Sequence, residues 1–339
     1  MPARNKTLII FLLFLSCTKA QTPDVNTPVE DSFAKGADIG WLSEMEAKGI
    51  KFYNSKGQEQ DCIDILKGLG MNTLRFRVWV NPTNGWCGQE DVVKQAVRAS
   101  KKGMRILIDF HYSDYWADPG KQNKPEKWKN VSFQSLNDSL RQHTLSVLKA
   151  LKNNNVTPEW VQVGNETNDG MLWEEGRASK NMAQFAALVK TGYAATKEVF
   201  PTSRVIVHIS NGYDNGLFKW IFDGLKNNGA AWDVIGTSLY PSVSDWATKT
   251  DQCIYNMYDM INRYGKEVMV VEVGMPADQP QACKQFITDL ISKTRALQGK
   301  KGLGVLYWEP QAYKSWQGYG LGAWSDDGKP SIALDAFKN

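Results

Sequence analysis

Trp160-Val161-Gln162-Val163-Gly164-Asn165-Glu166 and, further along the chain, Val268-Met269-Val270-Val271-Glu272-Val273-Gly274 are short runs rich in β-branched residues that each carry a glutamate at or near the end. One face of such a run is normally buried, and a carboxylate placed there loses its water. Working outward, the same strand-like pattern recurs at 37–39, 73–80, 105–110, 204–209, 234–239 and 304–307. With 160–164 and 268–273 this makes eight runs. Between them lie amphipathic stretches with helical spacing, among them 58–69, 89–102, 134–151, 183–199 and 281–297. Eight alternations of strand and helix predict an α/β fold with a single closed (β/α)8 TIM barrel over 33–339. An open doubly wound sheet fits less well, because no Gly-x-Gly-x-x-Gly turn follows any of the runs. In a closed barrel Glu166 and Glu272 converge at the C-terminal mouth, where such folds keep their chemistry.

The stretches without periodicity, 81–88, 112–130 and 240–250, all follow strands and would rim that mouth. Long loops on this face are expected of a substrate groove. No second domain, internal repeat or low-complexity tract is visible.

With 339 residues, 42% hydrophobic and 22% charged, the chain has the composition of a globular protein with a large core. A net charge of +4 without a long basic run argues against a nucleic-acid partner. Thirteen Trp are a heavy load for packing alone. Trp suits surfaces where a flat apolar face meets a polar ligand, as a sugar ring does.

Arg4 and Lys6 precede the apolar run 8–15, which is too short to span a bilayer and reads as an export signal within 1–20. Leu15-Ser16-Cys17 resembles a bacterial lipoprotein cleavage site, whereas Thr18-Lys19-Ala20 suits an ordinary signal peptidase. The reading favours lipidation of Cys17, with 21–32 as a polar tether, and so an outer-membrane lipoprotein; the alternative is a secreted protein. A monomer is expected in either case. Four further cysteines allow three pairings. Sequence proximity points to Cys62 with Cys87 and Cys253 with Cys283, and four buried free thiols are an equal alternative. No Cys-x-x-Cys spacing and only three His argue against zinc.

A retaining glycosidase needs one protonated carboxyl group and one ionised carboxylate, roughly 5 Å apart. Their pKa values must be driven apart by different surroundings. Arg75 and Arg77 lie two apart on the second strand, hence on one face, and are placed to hold Glu272 ionised. Asn165 is suited to hydrogen-bond a sugar hydroxyl. Strict alternation sends Asn165 and Glu166 to opposite faces, so the strand must end or bulge there if both serve the site.

Several segments now carry a family resemblance: Arg75-Phe76-Arg77-Val78-Trp79-Val80-Asn81-Pro82, the run Asp109-Phe110-His111-Tyr112-Ser113-Asp114-Tyr115-Trp116-Ala117-Asp118-Pro119-Gly120-Lys121-Gln122, residues 160–168, and Glu272 on the seventh strand. Together they resemble glycoside hydrolase family 53 of clan GH-A, the arabinogalactan endo-β-1,4-galactanases that cut galactan side chains of pectin. The resemblance spans 33–337. It implies Glu166 as general acid/base and Glu272 as nucleophile, with Tyr240 hydrogen-bonded to Glu272. It also implies Trp308 as a platform under the sugar, followed by a non-prolyl cis bond, and contacts to galactose from Asp118 and Lys121. Asn211 and Gly212 after the fifth strand are further candidates, and Trp116 and Trp324 are candidate stacking surfaces. No organic cofactor is implied. Calcium, held in some bacterial members by an acid-rich loop after the seventh strand, is not expected at 274–280, which carries one acid. Ser325-Asp326-Asp327 is the remaining calcium candidate.

Blander readings apply to other residues. Trp79, Trp160 and Trp232 sit in or beside core runs, and Asp109 and Asp114 belong to the supporting set. His111 is expected behind the reacting groups, His208 is open, and His143 is structural or exposed. Two alternatives to a galactanase are another clan GH-A endo-glycanase, acting on β-glucan or mannan, and a non-catalytic glycan-binding barrel.

Overall fold

The computed structural model describes residues 1–2 and 32–338. The apolar run 8–15, Cys17 and the tether up to residue 31 lie outside the described residues. Eight parallel strands, β1 (Ala34–Asp38), β2 (Thr73–Val78), β3 (Arg105–Phe110), β4 (Trp160–Val163), β5 (Arg204–Ile209), β6 (Val234–Leu239), β7 (Glu267–Val273) and β8 (Gly302–Trp308), pair in sequence order and close as β8 meets β1. The structure is therefore a (β/α)8 barrel. Around it run α1 (Leu42–Ala47), α2 (Cys62–Gly68), α3 (Gln89–Lys101), α4 (Phe133–Asn153), α5 (Ala178–Val199), α6 (Asn215–Asn227), α7 (Trp246–Tyr264) and α8 (Pro280–Arg295). After β8 a short 3-10 segment, Ile332–Phe337, packs on α8 where a further helix would close the ring.

Side chains started by Asp61, Ser132 and Asp214 cap α2, α4 and α6 by accepting from the free N–H groups of the first turn. Gly265, with φ 68°, ends α7 in the left-handed conformation that glycine adopts without strain. Helix α7 begins at Trp246, inside the stretch 240–250 expected to be loop. Its apolar face, Cys253, Met257, Met260 and Ile261, starts well after the serine-rich entry at 242–244, which hides the helix in the sequence.

The barrel interior is layered by the two-residue period of the strands. At the floor, Ala34, Leu107, Trp160, Ile206, Val234, Met269, Val271 and Leu306 form a small apolar cluster separate from the main barrel-to-helix core. Arg105 and Arg204 lie 4.5 and 5.5 Å from the Trp160 ring. Two residues further along the same strands stand Asp109, Gln162 and His208, all buried. Polar side chains thus sit on an apolar plug, toward the C-terminal mouth.

Cys62, Cys87, Cys253 and Cys283 are separate buried thiols, so the free-thiol alternative holds and the neighbouring pairs do not form. Neighbours in sequence do not meet, because each packs against a different element. Cys87 Sγ faces Gly40 O at 3.5 Å, Cys253 Sγ faces Met257 Sδ at 3.9 Å, and Cys283 Sγ lies 3.7 Å from the Tyr307 hydroxyl.

Candidate active site

The alternation problem at Asn165 and Glu166 is resolved by the end of β4. The strand stops at Val163, and Gly164 turns to φ 85°, where an added Cβ would stand 2.6 Å from Thr167 Cγ2. Glu166 itself has φ 45°. This turn brings both side chains to the mouth, where both line one cavity of about 350 Å³. On the opposite wall β7 carries an extra residue relative to β6. Thr237 pairs with Val270, but Ser238 pairs with Glu272. The bulge lifts Glu272 out of the apolar floor that holds Val271 and into the same cavity.

The cavity is also lined by His111, Trp116, Ala117, Asp118, Tyr240, Trp308, Tyr319 and Leu321. Trp308 is wedged edge-on between Trp41, Trp116 and Tyr319, with ring centres 4.8 to 5.7 Å away. Its rotation is blocked, so it presents a fixed apolar wall. The bond after Trp308 is not cis. Among the described residues the cis peptide bond is Trp173–Glu174, and the backbone turns after β8 through a left-handed Glu309 at φ 49°.

The two carboxyl groups have different surroundings. Glu272 Oε1 lies 2.8 Å from Arg75 Nη1, an ion-pair contact, and Glu272 Oε2 accepts from the Tyr240 hydroxyl at 2.9 Å. Glu166 Oε1 accepts from the neutral Ser238 hydroxyl at 2.7 Å. Burial, then the charge of Glu272, pushes the Glu166 carboxyl up to about 8. Burial pushes Glu272 up as well, but Arg75 and the Tyr240 phenol pull against it. A proton shared by this pair therefore resides on Glu166, the member without an adjacent cation.

Arg75 organises the polar layer. Its guanidinium binds Asp38 at 2.7 Å, Asp109 at 2.8 Å, Gln162 Oε1 at 3.1 Å and Asn165 Oδ1 at 2.9 Å. Asn165 Nδ2 donates to Ala117 O at 2.8 Å, which fixes its amide. His111 lies behind this set: Nδ1 accepts from Ala117 N at 3.1 Å and Nε2 meets Asp109 Oδ2 at 3.0 Å. His208, left open by sequence, joins Ser238 at 2.7 Å. His143 is buried beside Phe110, Tyr112 and Trp128, and burial drives its pKa down to about 4.

Other expected residues stand elsewhere. Arg77 does not reach Glu272; it pairs with Glu309 and, at 3.3 Å, with Asp38. Its guanidinium lies 4.4 Å from the Trp116 ring and within 6 Å of Trp41, Trp79 and Trp308. The strand continues past Arg75 toward a second acidic group, so two arginines on one face serve two carboxylates. Lys121 is exposed and lies 3.7 Å from Asp118, its bridge partner in the loop after β3. Asp114 Oδ2 accepts from Glu126 N at 2.9 Å and ties that loop together, outside the cavity lining. Asn211 accepts from the Tyr213 hydroxyl at 3.2 Å, and Gly212 packs against Thr237 and Cys253; neither lines the cavity. Trp324 is buried edge-on against Phe52 and borders a second cavity of about 510 Å³ shared with Tyr313 and Asp278. In the segment 325–327, Asp327 is engaged by Lys329 and Ser325, and Asp326 accepts from Lys314 N.

Ser238 and Gln162 were legible in principle, since Ser238 lies on β6 two residues before Tyr240 and Gln162 is polar inside an apolar run. Tyr319 and Leu321 carry no such mark, being loop residues after β8.

The model of the family described as Glycosyl hydrolase family 53 matches residues 34–337. The chain belongs to glycosyl hydrolase family 53. An endo-beta-1,4-galactanase of Bacillus subtilis is 33% identical to this family 53 chain over 307 residues, covering 82% of the chain and 70% of the relative. A probable arabinogalactan endo-beta-1,4-galactanase A of Neosartorya fischeri is 32% identical over 298 residues, covering 81% and 83%. A solved fungal beta-1,4-galactanase superposes with a TM-score of 0.84 at 29% identity, covering 90% of this chain and 99% of that one.

Proposed function

We infer that this family 53 protein is a retaining endo-hydrolase of β-1,4-galactan, with Glu166 as general acid/base and Glu272 as nucleophile. The observation that carries the division of roles is the asymmetry of the pair. Glu272 has a guanidinium at 2.8 Å, while Glu166 has only a hydroxyl and a pKa raised to about 8. The substrate follows from the galactanase relatives.

In the first half-reaction Glu166 gives its proton to the leaving glycosidic oxygen as Glu272 bonds to the anomeric carbon. Forming that ester discharges Glu272 and removes the repulsion that held the proton on Glu166. The resulting Glu166 carboxylate then takes a proton from water, whose oxygen displaces Glu272. Tyr240 and Arg75 receive the charge of Glu272 when it leaves. Trp308 offers the apolar face of a sugar platform.

The test is hydrolysis of galactan, β-glucan and mannan side by side, with NMR of the first-formed product. Galactan is expected to be cut with retained β-configuration. Turnover of glucan or mannan alone would move the substrate assignment, and an α-anomer would reject double displacement.

We also propose export, with Cys17 lipidated at the outer membrane and galactan met there; the apolar run 8–15 and the Leu15-Ser16-Cys17 sequence support it. Among the described residues no helix is long and apolar enough to cross a membrane. Radiolabelled fatty acid incorporated into the wild type but not into Cys17→Ala is the expected result. A mature N-terminus after Ala20 would replace this with secretion.

A further inference from the structure

Ser238 has one hydroxyl hydrogen and two partners at 2.7 Å, Glu166 Oε1 and His208 Nε2. It can donate to only one. The far side of the imidazole decides which. Glu166 N–H points at His208 Nδ1 at 3.4 Å and has no other acceptor among the described residues. A backbone N–H only donates. Gln162 Nε2 faces the same nitrogen at 3.1 Å, and its amide is oriented by Asp109 Oδ1 at 2.6 Å and by Arg75 on its oxygen. Asn165 Oδ1 also lies 3.0 Å from Nδ1, but its two lone pairs already face donors, Arg75 Nη2 at 2.9 Å and Gln162 Nε2 at 3.2 Å. Nδ1 is therefore the acceptor nitrogen. Burial, Arg75 and His111 hold the ring neutral, well below the usual histidine range. Its single hydrogen is then on Nε2. The order is His208 Nε2–H to Ser238 Oγ, and Ser238 O–H to Glu166 Oε1.

We propose that Ser238 and His208 are positioning residues that make Glu166 Oε1 a permanent acceptor and so assign the exchanged catalytic proton to Oε2. The proposal rests on Glu166 being the acid/base. Oε2 has no hydrogen-bond partner among the described residues, and Glu166 lines the substrate cavity. During glycosylation the Oε2 proton passes to the leaving oxygen as the C–O bond breaks. During hydrolysis of the ester, water returns a proton to Oε2 while its oxygen bonds to the anomeric carbon. Oε1 keeps the same donor throughout. Without it the proton would be free to sit on Oε1, turned away from the scissile bond.

The relay also tempers the acid. Glu272 from β7 and Asp118 from the loop after β3 favour the protonated form of Glu166, while Arg75 from β2 and the Ser238 hydroxyl from β6 oppose it. Tyr240, just after β6, and His111, just after β3, border the same cavity, and His208 from β5 is neutral.

The test is the pH dependence of kcat/KM on galactan for Ser238→Ala and Ser238→Thr, with 15N NMR of the wild-type histidines. Ser238→Ala is expected to move the alkaline limb up by about one pH unit. Ser238→Thr, which keeps the hydroxyl, should leave that limb in place, and His208 should show the Nε2–H tautomer. An unmoved limb in folded Ser238→Ala, or an Nδ1–H signature for His208, overturns the relay. Glu166→Gln separates the two levels. If that variant is inactive while the limb stays, the relay alone fails; if it hydrolyses galactan at the wild-type rate, the acid/base reading fails with it.

Discussion

Arg75 Nη1 stands 2.8 Å from Glu272 Oε1, and the same guanidinium also binds Asp38 and Asp109, so one buried cation serves three acids from three other strands. Removing it leaves those charges without a partner where water cannot reach. Arg75→Met is expected to cost about 3–5 kcal/mol in urea unfolding. Arg75→Lys should lose much of the same stability, because an ammonium cannot fork among these groups. A Lys variant as stable as wild type would contradict this account.

Glu166→Gln keeps the shape of the side chain and removes the exchangeable proton. On galactan, whose leaving group is a poor one, kcat should fall about 10²- to 10⁴-fold. Glu272→Ala removes the carboxylate proposed to bond to the anomeric carbon, with an expected loss on the order of 10⁴-fold or more. Steady-state rates on galactan check both, and added azide should restore turnover to Glu272→Ala with inverted product.

The raised pKa of Glu166 has two signed consequences. With Glu166 as the proposed acid, activity needs its protonated form in the free enzyme, so kcat/KM should fall as pH rises through about 8. For stability, an unfolded glutamate titrates at roughly 4.3, so between that pH and 8 the native state holds a proton the unfolded chain has released. Native stability contributed by this group is present at low pH and lost as pH rises across that window. Glu166→Gln has no such penalty, and its advantage in unfolding temperature should widen between pH 5 and pH 8 by on the order of a few degrees. A constant difference would reject it.

Trp308 is held by Trp41, Trp116 and Tyr319, and the Arg77 cation lies 4.4 Å from the Trp116 ring and 5.8 Å from that of Trp308. Trp308→Ala should lower kcat/KM on galactan about tenfold or more while leaving the pH limbs in place. A shifted pH profile would show that the ring also tunes the carboxyl pair.

Arg77→Met leaves Glu309 and Asp38 facing each other under the tryptophans. Burial already pushes Glu309 up to about 8, and loss of the Arg77 cation would push it higher still. The expected result is a loss of about 3 kcal/mol or more in unfolding free energy, with most residual activity kept in the folded fraction. Equal losses of stability and of specific activity would place Arg77 closer to the chemistry.

The amino-acid sequence by itself determined the barrel, because eight apolar runs with intervening helical spacing have few other ways to bury their faces. It also singled out Glu166 and Glu272, which stand where a carboxylate is costly and which line one cavity in the structure. Asp109, Gln162 and His208 carry the same period-two signal, one layer above Leu107, Trp160 and Ile206. Only the tertiary structure decided the rest. Whether Asn165 and Glu166 share a face depended on the left-handed turn at Gly164, and the height of Glu272 depended on one extra residue in β7. Likewise, Arg75 and Arg77 are indistinguishable in sequence but meet different acids, since a side chain's partner is set by the neighbouring strands. Trp116 and Trp324 diverged for the same reason. A periodic pattern specifies which way a residue points, whereas the registers of eight strands and the paths of their loops specify what it meets there.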